Sequence, residues 1–165
     1  YAKTYEFEAP DAIERSVREE SQRISALIDR DNGEAFFRIR DELKATMDEK
    51  AGIFREEQKL RDALEKIREL NMRYKNVSIR NKGAVFNQEL VNVIELEGML
   101  DIAGAICIGA LARKESRGSH YRLDYKERDD VNCLRHTLIT YRPGGPGIDY
   151  KPVNITMYEP KRREY

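Results

Sequence analysis

The sequence has few of the residues that mark metal sites, disulfides or nucleotide-binding loops. In 165 residues it has no tryptophan and only two cysteines, Cys107 and Cys133. Neither cysteine lies in a CxxC or CxxH arrangement, so nothing supports a zinc site or a disulfide framework. Low cysteine usage instead indicates a reduced, cytosolic-side protein. No GxGxxG or GxxxxGKS/T motif is present, so this sequence cannot build a dinucleotide or phosphate cradle.

An excess of charge of one sign is also missing. The 30 Lys and Arg residues balance the 30 Asp and Glu residues. This balance argues against a general nucleic-acid or membrane-surface binder, because such proteins need a cationic excess. The charges are interleaved along the chain, which is typical of solvated helix faces with i,i+4 pairs. At this length the chain fits one domain that can bury a core.

The start of the chain also lacks familiar signals. The first residues, YAKTYEFEAP, contain no initiator methionine and no segment that resembles a signal or transit peptide. We therefore expect the chain to begin inside a larger polypeptide, with trimming of a complete protein as the alternative. The absence of nucleotide-binding motifs agrees with that expectation, since they would lie in another part of the polypeptide.

Apolar spacing predicts three amphipathic helices, over residues 11–30, 34–50 and 56–74. Asp31, Asn32 and Gly33 break the first pattern as a turn would. Each helix must lay one apolar stripe against a partner. The predicted stripes are Ile13, Val17, Ile24, Leu27 and Ile28 in the first helix, Phe36, Ile39, Leu43 and Met47 in the second, and Leu60, Ala63, Leu64, Ile67 and Leu70 in the third.

A fourth helix, predicted over residues 88–116, is apolar on most of its circumference. Its length would also suit a membrane span, but Glu95, Glu97 and Asp101 fall within it. Three carboxylates in one span would be very costly in lipid. We therefore predict a central core helix and no direct membrane insertion. So apolar a helix also leaves room for a partner surface beyond the other three helices.

The helical pattern stops after Ser116, and Gly118 can take the backbone conformation needed to leave a helix. Residues 134–141 alternate like a strand, the PGGPG motif at 143–147 predicts a turn, and residues 153–158 could return as a second strand. We expect a small hairpin or an extended arm rather than a second domain. The tail, EPKRREY, has no core-forming pattern and stays ordered only if it docks.

Residues 113–138, RKESRGSHYRLDYKERDDVNCLRHTL, concentrate polar and titratable side chains directly behind the fourth helix. One interpretation is a hydrolase with Ser116 or Ser119 as its nucleophile. His120 would be the base and Asp124 the orienting carboxylate, but closeness in sequence does not supply that geometry. A metal site at His120 and His136 lacks a second ligand pair at usable spacing.

Four segments, in order along the chain, resemble the C-terminal region of the succinate dehydrogenase and fumarate reductase flavoprotein subunit. They are MDEKAGIFREEQKLRDALEKIREL, NVIELEGMLDIAGAICIGALARKESRG, KESRGSHYRLDYKERDDVN followed by LRHTL, and PVNITMYEPKRREY. The resemblance covers most of the chain and is weakest towards its start. One departure is Cys133, where the family often has tryptophan.

The helix pattern and this resemblance together predict a mainly α fold. We expect a three-helix, spectrin-repeat-like up-down bundle with an extra N-terminal helix and a small C-terminal β-hairpin or extended arm. Residues 1–33 would form the helix that leads in from a flavin domain, and residues 34–118 the helical bundle. Residues 119–165 would form an ordered loop, a short β-hairpin and the C-terminal tail.

The resemblance implies a parent enzyme with a flavin domain, a capping domain and this helical domain. That enzyme uses FAD, usually attached covalently through a histidine, to interconvert succinate and fumarate. Electrons then pass to the clusters of an iron–sulfur subunit and to a membrane anchor. The family's flavin-linking, nucleotide-binding and dicarboxylate-binding residues belong to upstream domains and have no counterpart in this sequence. No catalytic, cofactor-binding or metal residue is therefore carried over, and this piece alone is expected to be inactive.

The resemblance also implies partners and a location. The expected partners are the flavin and capping domains of the same polypeptide and the iron–sulfur subunit, with the membrane anchor involved only indirectly and no nucleic acid. The expected location is cytoplasmic, at the inner face of the cell membrane, within a complex. The nearer alternative is L-aspartate oxidase, which has a similar ESRG-type segment, although the LRHTL strand and the basic tail favour the succinate and fumarate branch. A stand-alone helical interaction module is the second alternative.

The polar stretch is then predicted to be structural. Glu115, Arg117, His120, Arg122 and Asp124 are expected to form a network that closes the base of the bundle. Some of them are expected to reach the flavin domain or the iron–sulfur subunit, since the planar fork of arginine can hold carboxylates or carbonyls in fixed register. Arg117, His120 and Arg122 are the favoured interdomain contacts.

Overall fold

The fold consists of four helices and six short strands within the residues that the structure describes. The computed structural model describes residues 10–83, 85–142 and 145–161; residues 1–9 of the predicted lead-in segment, two residues of the PGGPG turn and the end of the tail lie outside these ranges. The helices are α1 (Pro10–Asp29), α2 (Phe36–Lys50), α3 (Glu57–Tyr74) and α4 (Gln88–Ala112). The strands are β1 (Glu34–Ala35), β2 (Phe54–Arg55), β3 (Val77–Ser78), β4 (Tyr121–Arg122), β5 (Arg135–Thr140) and β6 (Gly147–Pro152).

Helices α2, α3 and α4 form a bundle around one apolar core, and each packs against the other two. The buried side chains recur every three or four residues, so that each helix turns one stripe inward. Burial of each such aliphatic side chain contributes about 1.5–3 kcal/mol, which holds the helices together more than helix propensity does. The predicted mainly α fold, with its extra N-terminal helix and C-terminal hairpin, is confirmed. The main buried residues are Ile39, Leu43, Leu60, Ala63, Ile67, Leu70, Val93, Leu96, Leu100, Ala103 and Cys107.

Helix α1 lies against the rest of the fold only through its C-terminal part. Residues 11–22 are exposed, whereas Leu27 is buried. The Arg23 guanidinium donates a hydrogen bond of 2.6 Å to the Glu97 carboxylate of α4. The predicted helix is therefore present close to its expected bounds. The described residues cover only the last part of its apolar stripe.

Helix α4 is the central element, and its end differs from the prediction. It ends at Ala112 instead of Ser116, and Arg113 follows in an extended conformation with φ −92° and ψ 100°. Gly118 does have a positive φ of 60°, but it lies in a tight turn within the polar stretch and not at the helix exit. The predicted end was wrong because the chain leaves the helix after Ala112 and turns back, so that β4 can pair with β2. None of the described helices is both long enough and apolar enough to cross a membrane.

The C-terminal hairpin also differs in register from the prediction. The predicted second strand over residues 153–158 is wrong, because β6 begins at Gly147, which pairs antiparallel with Thr140 of β5. The sequence pattern assigns the whole PGGPG motif to the turn. In the structure Gly145 already has a φ of 113°, a conformation that suits glycine, and pairing resumes two residues later.

Two very short parallel strand pairs join the connections between helices. β1 pairs with β3, which links the connection before α2 to the residues that follow α3. β2 pairs with β4, which links the connection between α2 and α3 to the polar stretch after α4. Sequence patterns do not predict these pairs, because two residues are too few to show a period. The second pair positions the candidate site.

Gly33 lies where two backbone segments approach closely. A Cβ atom added there would lie 2.4 Å from the carbonyl oxygen of Asn76. Because the backbone would have to shift, Gly33→Ala should lower the free energy of unfolding by about 1–3 kcal/mol. Urea denaturation of the variant and the parent chain measures the difference.

Gly98 provides the matched control for Gly33. A Cβ atom added at Gly98 meets no atom within 4 Å, and the residue lies inside α4. Alanine at this position should therefore stabilise the chain by about 0.5–1 kcal/mol. If Gly33→Ala were as stable as Gly98→Ala, the close approach at Gly33 would not exist in solution.

Candidate functional site

The polar stretch after α4 folds into one cluster at the base of the bundle. The parallel pairing of β2 with β4 places Arg55 beside Arg122 and draws the stretch against the end of α2. All five predicted residues join this cluster, together with two arginines whose roles the sequence did not show. We call the set the base network; it consists of Arg55, Arg113, Glu115, Arg117, His120, Arg122 and Asp124.

Arg122 is the centre of the base network and is fully buried. Its Nη1 donates to the carbonyl oxygens of Ala110 and Arg113, at 3.0 and 3.2 Å, at the C-terminal end of α4. Its Nε and Nη2 donate to the two carboxylate oxygens of Asp124, each at 2.7 Å. A cation at a helix C-terminus is favourable because it meets the unpaired carbonyls and the negative end of the helix dipole. Arg122 therefore closes α4.

Asp124 connects Arg122 to the start of α3. Its Oδ2 accepts a hydrogen bond of 3.0 Å from the backbone N–H of Glu57, in the first turn of that helix. The bidentate bond from Arg122 lowers the pKa of Asp124 to about 2, and the bond from the Glu57 N–H lowers it further against the opposing effect of burial. One carboxylate thus caps the start of α3 while it holds the arginine that caps the end of α4.

Glu115 is the second buried charge of the base network and has no solvent exposure. It accepts hydrogen bonds from Arg113, from both Nε and Nη2 of Arg117 at 2.9 Å, and from the backbone N–H of Asp129 at 2.8 Å. Burial alone would raise the pKa of Glu115, but these donors outweigh it, and the pKa lies below the ordinary value. Glu115 is therefore ionised and fixes the path of the chain behind α4.

Arg117 extends the base network towards the surface. Besides Glu115, it contacts the carboxylate of Asp130 at 2.7 Å, and about a quarter of its side chain is exposed. Asp130 in turn accepts a hydrogen bond of 2.6 Å from Arg128. Among the predicted residues, Arg117 and Asp124 are thus the charged members with exposed surface, whereas Glu115 and Arg122 are enclosed.

His120 lies between Arg55 and the end of α4. Its Nδ1 is 2.9 Å from Nη1 of Arg55, and its Nε2 is 3.1 Å from the carbonyl oxygen of Arg113. A guanidinium can only donate, so Nδ1 must accept and Nε2 must carry the proton that it donates to the carbonyl. The imidazole is therefore neutral. Burial lowers the pKa of His120, and the positive charges of Arg55, Arg122 and Arg113 lower it further against the bond to the Arg113 carbonyl.

The geometry gives no support to a hydrolase. Ser116 exchanges hydrogen bonds with the backbone of Arg122 and donates to the carbonyl of Tyr125. His120 is bound to Arg55 and a carbonyl, and Asp124 to Arg122 and a backbone N–H. No two members of the supposed Ser–His–Asp set are bonded to one another, although a nucleophile needs a base in hydrogen-bond reach. The described residues also contain no group of three or more His, Cys, Asp or Glu side chains that could hold a metal ion.

The residues present do not fit FAD either. Within the described ranges, no buried side-chain nitrogen or oxygen lacks a hydrogen-bond partner, so no buried donor is left free for a phosphate or an isoalloxazine ring. A groove of about 460 Å³ is lined mostly by apolar side chains of α3, α4 and the hairpin. No flavin chemistry is therefore assigned to the residues that the structure describes.

Acidification should destabilise the fold through His120. Because its pKa is lowered in the folded state, the unfolded chain takes up this proton at a higher pH. The contribution of His120 to stability is therefore complete above the ordinary histidine pKa of about 6.5 and is lost as the pH falls below it. Urea denaturation at about pH 7.5 and about pH 5.5 should show this loss.

A pair of histidine variants assigns that pH dependence. His120→Asn should flatten the dependence of unfolding free energy on pH across this window. His136→Asn, at an exposed position of β5, is the matched control. Full retention of the parent's pH dependence in His120→Asn would contradict a neutral, partly buried His120.

The sequence belongs to a recognised family. A model of the family described as "Fumarate reductase flavoprotein C-term" matches residues 40–165, which include every member of the base network. The chain is a member of this family. The C-terminal flavoprotein fold therefore accounts for the bundle, the polar stretch and the hairpin together.

Several named proteins are similar to the chain. The fumarate reductase flavoprotein subunit of Haemophilus influenzae is 42% identical over 155 residues, which is 93% of this chain and 26% of that protein. The succinate dehydrogenase flavoprotein subunit of Coxiella burnetii is 37% identical over 132 residues, covering 76% of this chain and 22% of that protein. Among solved structures, the FrdA chain of an Escherichia coli quinol fumarate reductase variant has a TM-score of 0.90 and 39% identity over 98% of this chain and 28% of that one.

The matches show what share of each relative's length this chain covers. The chain spans about a quarter of the length of the curated relatives that it matches. The named relatives are fumarate reductase and succinate dehydrogenase flavoprotein subunits, so the L-aspartate oxidase alternative is not favoured. Membership of this family likewise replaces the alternative of a stand-alone interaction module.

Proposed function

We propose that this chain is the C-terminal domain of an FAD-dependent flavoprotein subunit that interconverts succinate and fumarate. The whole subunit is an oxidoreductase that passes electrons to an iron–sulfur subunit, and this domain has a structural and docking role in it. The family match over residues 40–165 carries the proposal. The similarity to fumarate reductase flavoprotein chains, which extends over nearly all of this chain, supports it.

The base network supports a structural role. Its two enclosed charges, Glu115 and Arg122, are saturated by partners within the chain and so hold the end of α4. Its partly exposed members, Arg117 and Asp124, are placed to meet the rest of the subunit or the iron–sulfur subunit. His120 joins Arg55 to the end of α4. The predicted division into residues 1–33, 34–118 and 119–165 belongs to the same proposal.

The proposal also assigns a place in a complex. FAD would lie in a flavin domain of the same polypeptide, next to a capping domain, and the clusters would lie in the iron–sulfur subunit. The domain would face the cytoplasm at the inner side of the cell membrane, with the membrane anchor reached only through its partners. One of the similar structures is named as a quinol–fumarate reductase with menaquinol molecules, which supports such an arrangement.

The purified chain tests where the chemistry lies. After incubation with FAD and removal of free flavin, the chain should be colourless, and it should not reduce an electron-accepting dye when succinate is added. The longer gene product should retain flavin and reduce the dye under the same conditions. A flavin absorption band in the purified chain would overturn the proposal, as would a longer gene product that binds no flavin.

Arg117 tests the docking role within the longer gene product. Arg117→Ala should lower flavin retention or loosen the domain, which limited proteolysis would show as faster cleavage between this domain and the remainder. Arg38→Ala, at an exposed position of α2, is the matched control. Unchanged flavin content and unchanged proteolysis in Arg117→Ala would remove Arg117 from the proposed contacts.

A further inference from the structure

The outer face of α4 has no partner within the described part of the chain. The helix is apolar on most of its circumference, and Val93, Leu96 and Leu100 face the bundle core. The opposite side carries four exposed apolar side chains. We call these the outer face of α4; they are Val91 (45% exposed), Met99 (36%), Ile102 (63%) and Ile106 (43%). A helix that is apolar on most of its circumference normally has partners on more than one side.

The outer face of α4 forms one continuous stripe. Its positions recur at spacings that return to the same side of a helix. At about 1.5 Å per residue, the stripe from Val91 to Ile106 is about 22 Å long. Glu95 is the one carboxylate along it, and Gly98 leaves open space beside its backbone. A stripe of this length is more than a single exposed side chain, which would need no explanation.

An apolar groove continues the stripe. It has a volume of about 460 Å³ and lies between α3, α4 and the β5–β6 hairpin, and Ile102 belongs both to the groove and to the outer face. Leu64, Ile67 and Tyr141 form other parts of its wall. The outer face and the groove therefore make one surface that a single partner could cover.

The rim of the groove adds charge to this surface. Arg68, Asp101 and Arg142 line it; Arg142 is paired with Asp149, whereas the side chains of Arg68 and Asp101 form no hydrogen bond or ion pair with another described residue. A partner that seats in the groove would thus meet apolar walls with one unpaired basic and one unpaired acidic side chain, Arg68 and Asp101, at their edge. Such isolated rim charges favour one orientation of a partner over others.

We infer that this surface is the docking face for the rest of the flavoprotein polypeptide. This inference rests on the proposed function, because it needs the longer subunit to exist. Matched relatives are more than three times as long as this chain, so most of each polypeptide lies outside the matched region. A covalently attached domain is present at high effective concentration and covers an apolar face more readily than a free partner does. Interfaces between domains of one chain commonly bury this kind of mixed apolar and polar surface.

Thiol labelling at Ile102 tests the inference. Ile102→Cys is made in a Cys133→Ser background, with Cys107 left in place because it is buried. Labelling by a maleimide is followed, by mass spectrometry of the peptide containing residue 102, in this chain and in the longer gene product. Met72→Cys, at an exposed position on α3, is the matched control. We expect Ile102→Cys to be labelled about tenfold or more slowly in the longer product, the change that even a weak docking equilibrium produces, and Met72→Cys to be labelled equally fast in both.

Other labelling results would contradict the inference. Equal labelling of Ile102→Cys in both proteins would overturn the inference. Protection that appears only when the iron–sulfur subunit is added, or that grows with the concentration of this chain alone, would assign the surface to that subunit or to a second copy and would also overturn it. Flavin content distinguishes a failure of the docking inference from a failure of the proposed function. A longer product that binds FAD but in which residue 102 is labelled as fast as in this chain refutes only the docking face. A longer product that binds no flavin refutes the proposed function.

Discussion

Glu115→Ala should lower the free energy of unfolding by about 3–5 kcal/mol, the usual cost of removing one partner from a buried ion pair. The side chain has no solvent exposure and accepts hydrogen bonds from two arginines and one backbone N–H. Without it, Arg113 and Arg117 face each other's positive charge in a partly buried space. Chemical denaturation at neutral pH measures the loss.

Glu65→Ala is the matched control for Glu115→Ala, because Glu65 is an exposed glutamate of α3. It should change the unfolding free energy by no more than about 0.5 kcal/mol, as exposed substitutions usually do. If the two variants were equally stable, the chain behind α4 would not depend on the Glu115 carboxylate.

Arg122→Met should have an effect of similar size, about 3–5 kcal/mol, because it leaves several buried groups without their donor. The carbonyl oxygens of Ala110 and Arg113 lose their partner, and the Asp124 carboxylate loses a bidentate cation. Methionine can fill part of the space but cannot donate a hydrogen bond. The loss should appear in the same denaturation measurement.

Two further variants separate charge from geometry at Arg122. Arg122→Lys should recover only part of the lost stability, because an ammonium cannot make the bidentate contact with Asp124 while it reaches two carbonyls. Arg18→Met, at an exposed position of α1, is the control for loss of an arginine. Full recovery of stability in Arg122→Lys would show that charge alone matters. A loss of stability in Arg122→Met no larger than that in Arg18→Met would show that the Arg122 side chain does not hold the end of α4.

The helices of the bundle could be predicted from the sequence because their apolar residues are periodic. Ile39 and Leu43 of α2, and Leu60 and Ile67 of α3, lie in the core as their spacing indicates. The same reasoning gave α1, but not the extent of its contacts, since Val17 remains 60% exposed in this chain. Periodicity identifies the face of a helix that needs cover and does not identify what covers it.

The hairpin and the end of α4 were predicted less well for local reasons. A proline- and glycine-rich motif marks a reversal without fixing which of its residues rejoins the strand, so β6 begins at Gly147, earlier than expected. Residues 113–116 are compatible with a helix by propensity. Their side chains are instead used in the base network, and such tertiary contacts override propensity.

The membership of the base network was largely predictable, whereas its connections were not. Residue density and family resemblance identify Glu115, Arg117 and Arg122. His120, however, binds Arg55, which is 65 residues earlier in the chain. That contact depends on the two-residue pairing of β2 with β4, which leaves no pattern in the sequence. A long-range bond of this kind could be found only once the fold was known.

The most direct measurement concerns His120, because it is the residue of the base network best suited to acid–base chemistry. In the longer flavoprotein gene product, His120→Ala should lower the melting temperature but leave the rate of fumarate reduction per bound flavin unchanged, since its role is to join Arg55 to the end of α4. A loss of about 100-fold or more in turnover per bound flavin, with the melting temperature unchanged, would contradict the structural role of the base network, because an effect of that size is expected when a general acid or base is removed.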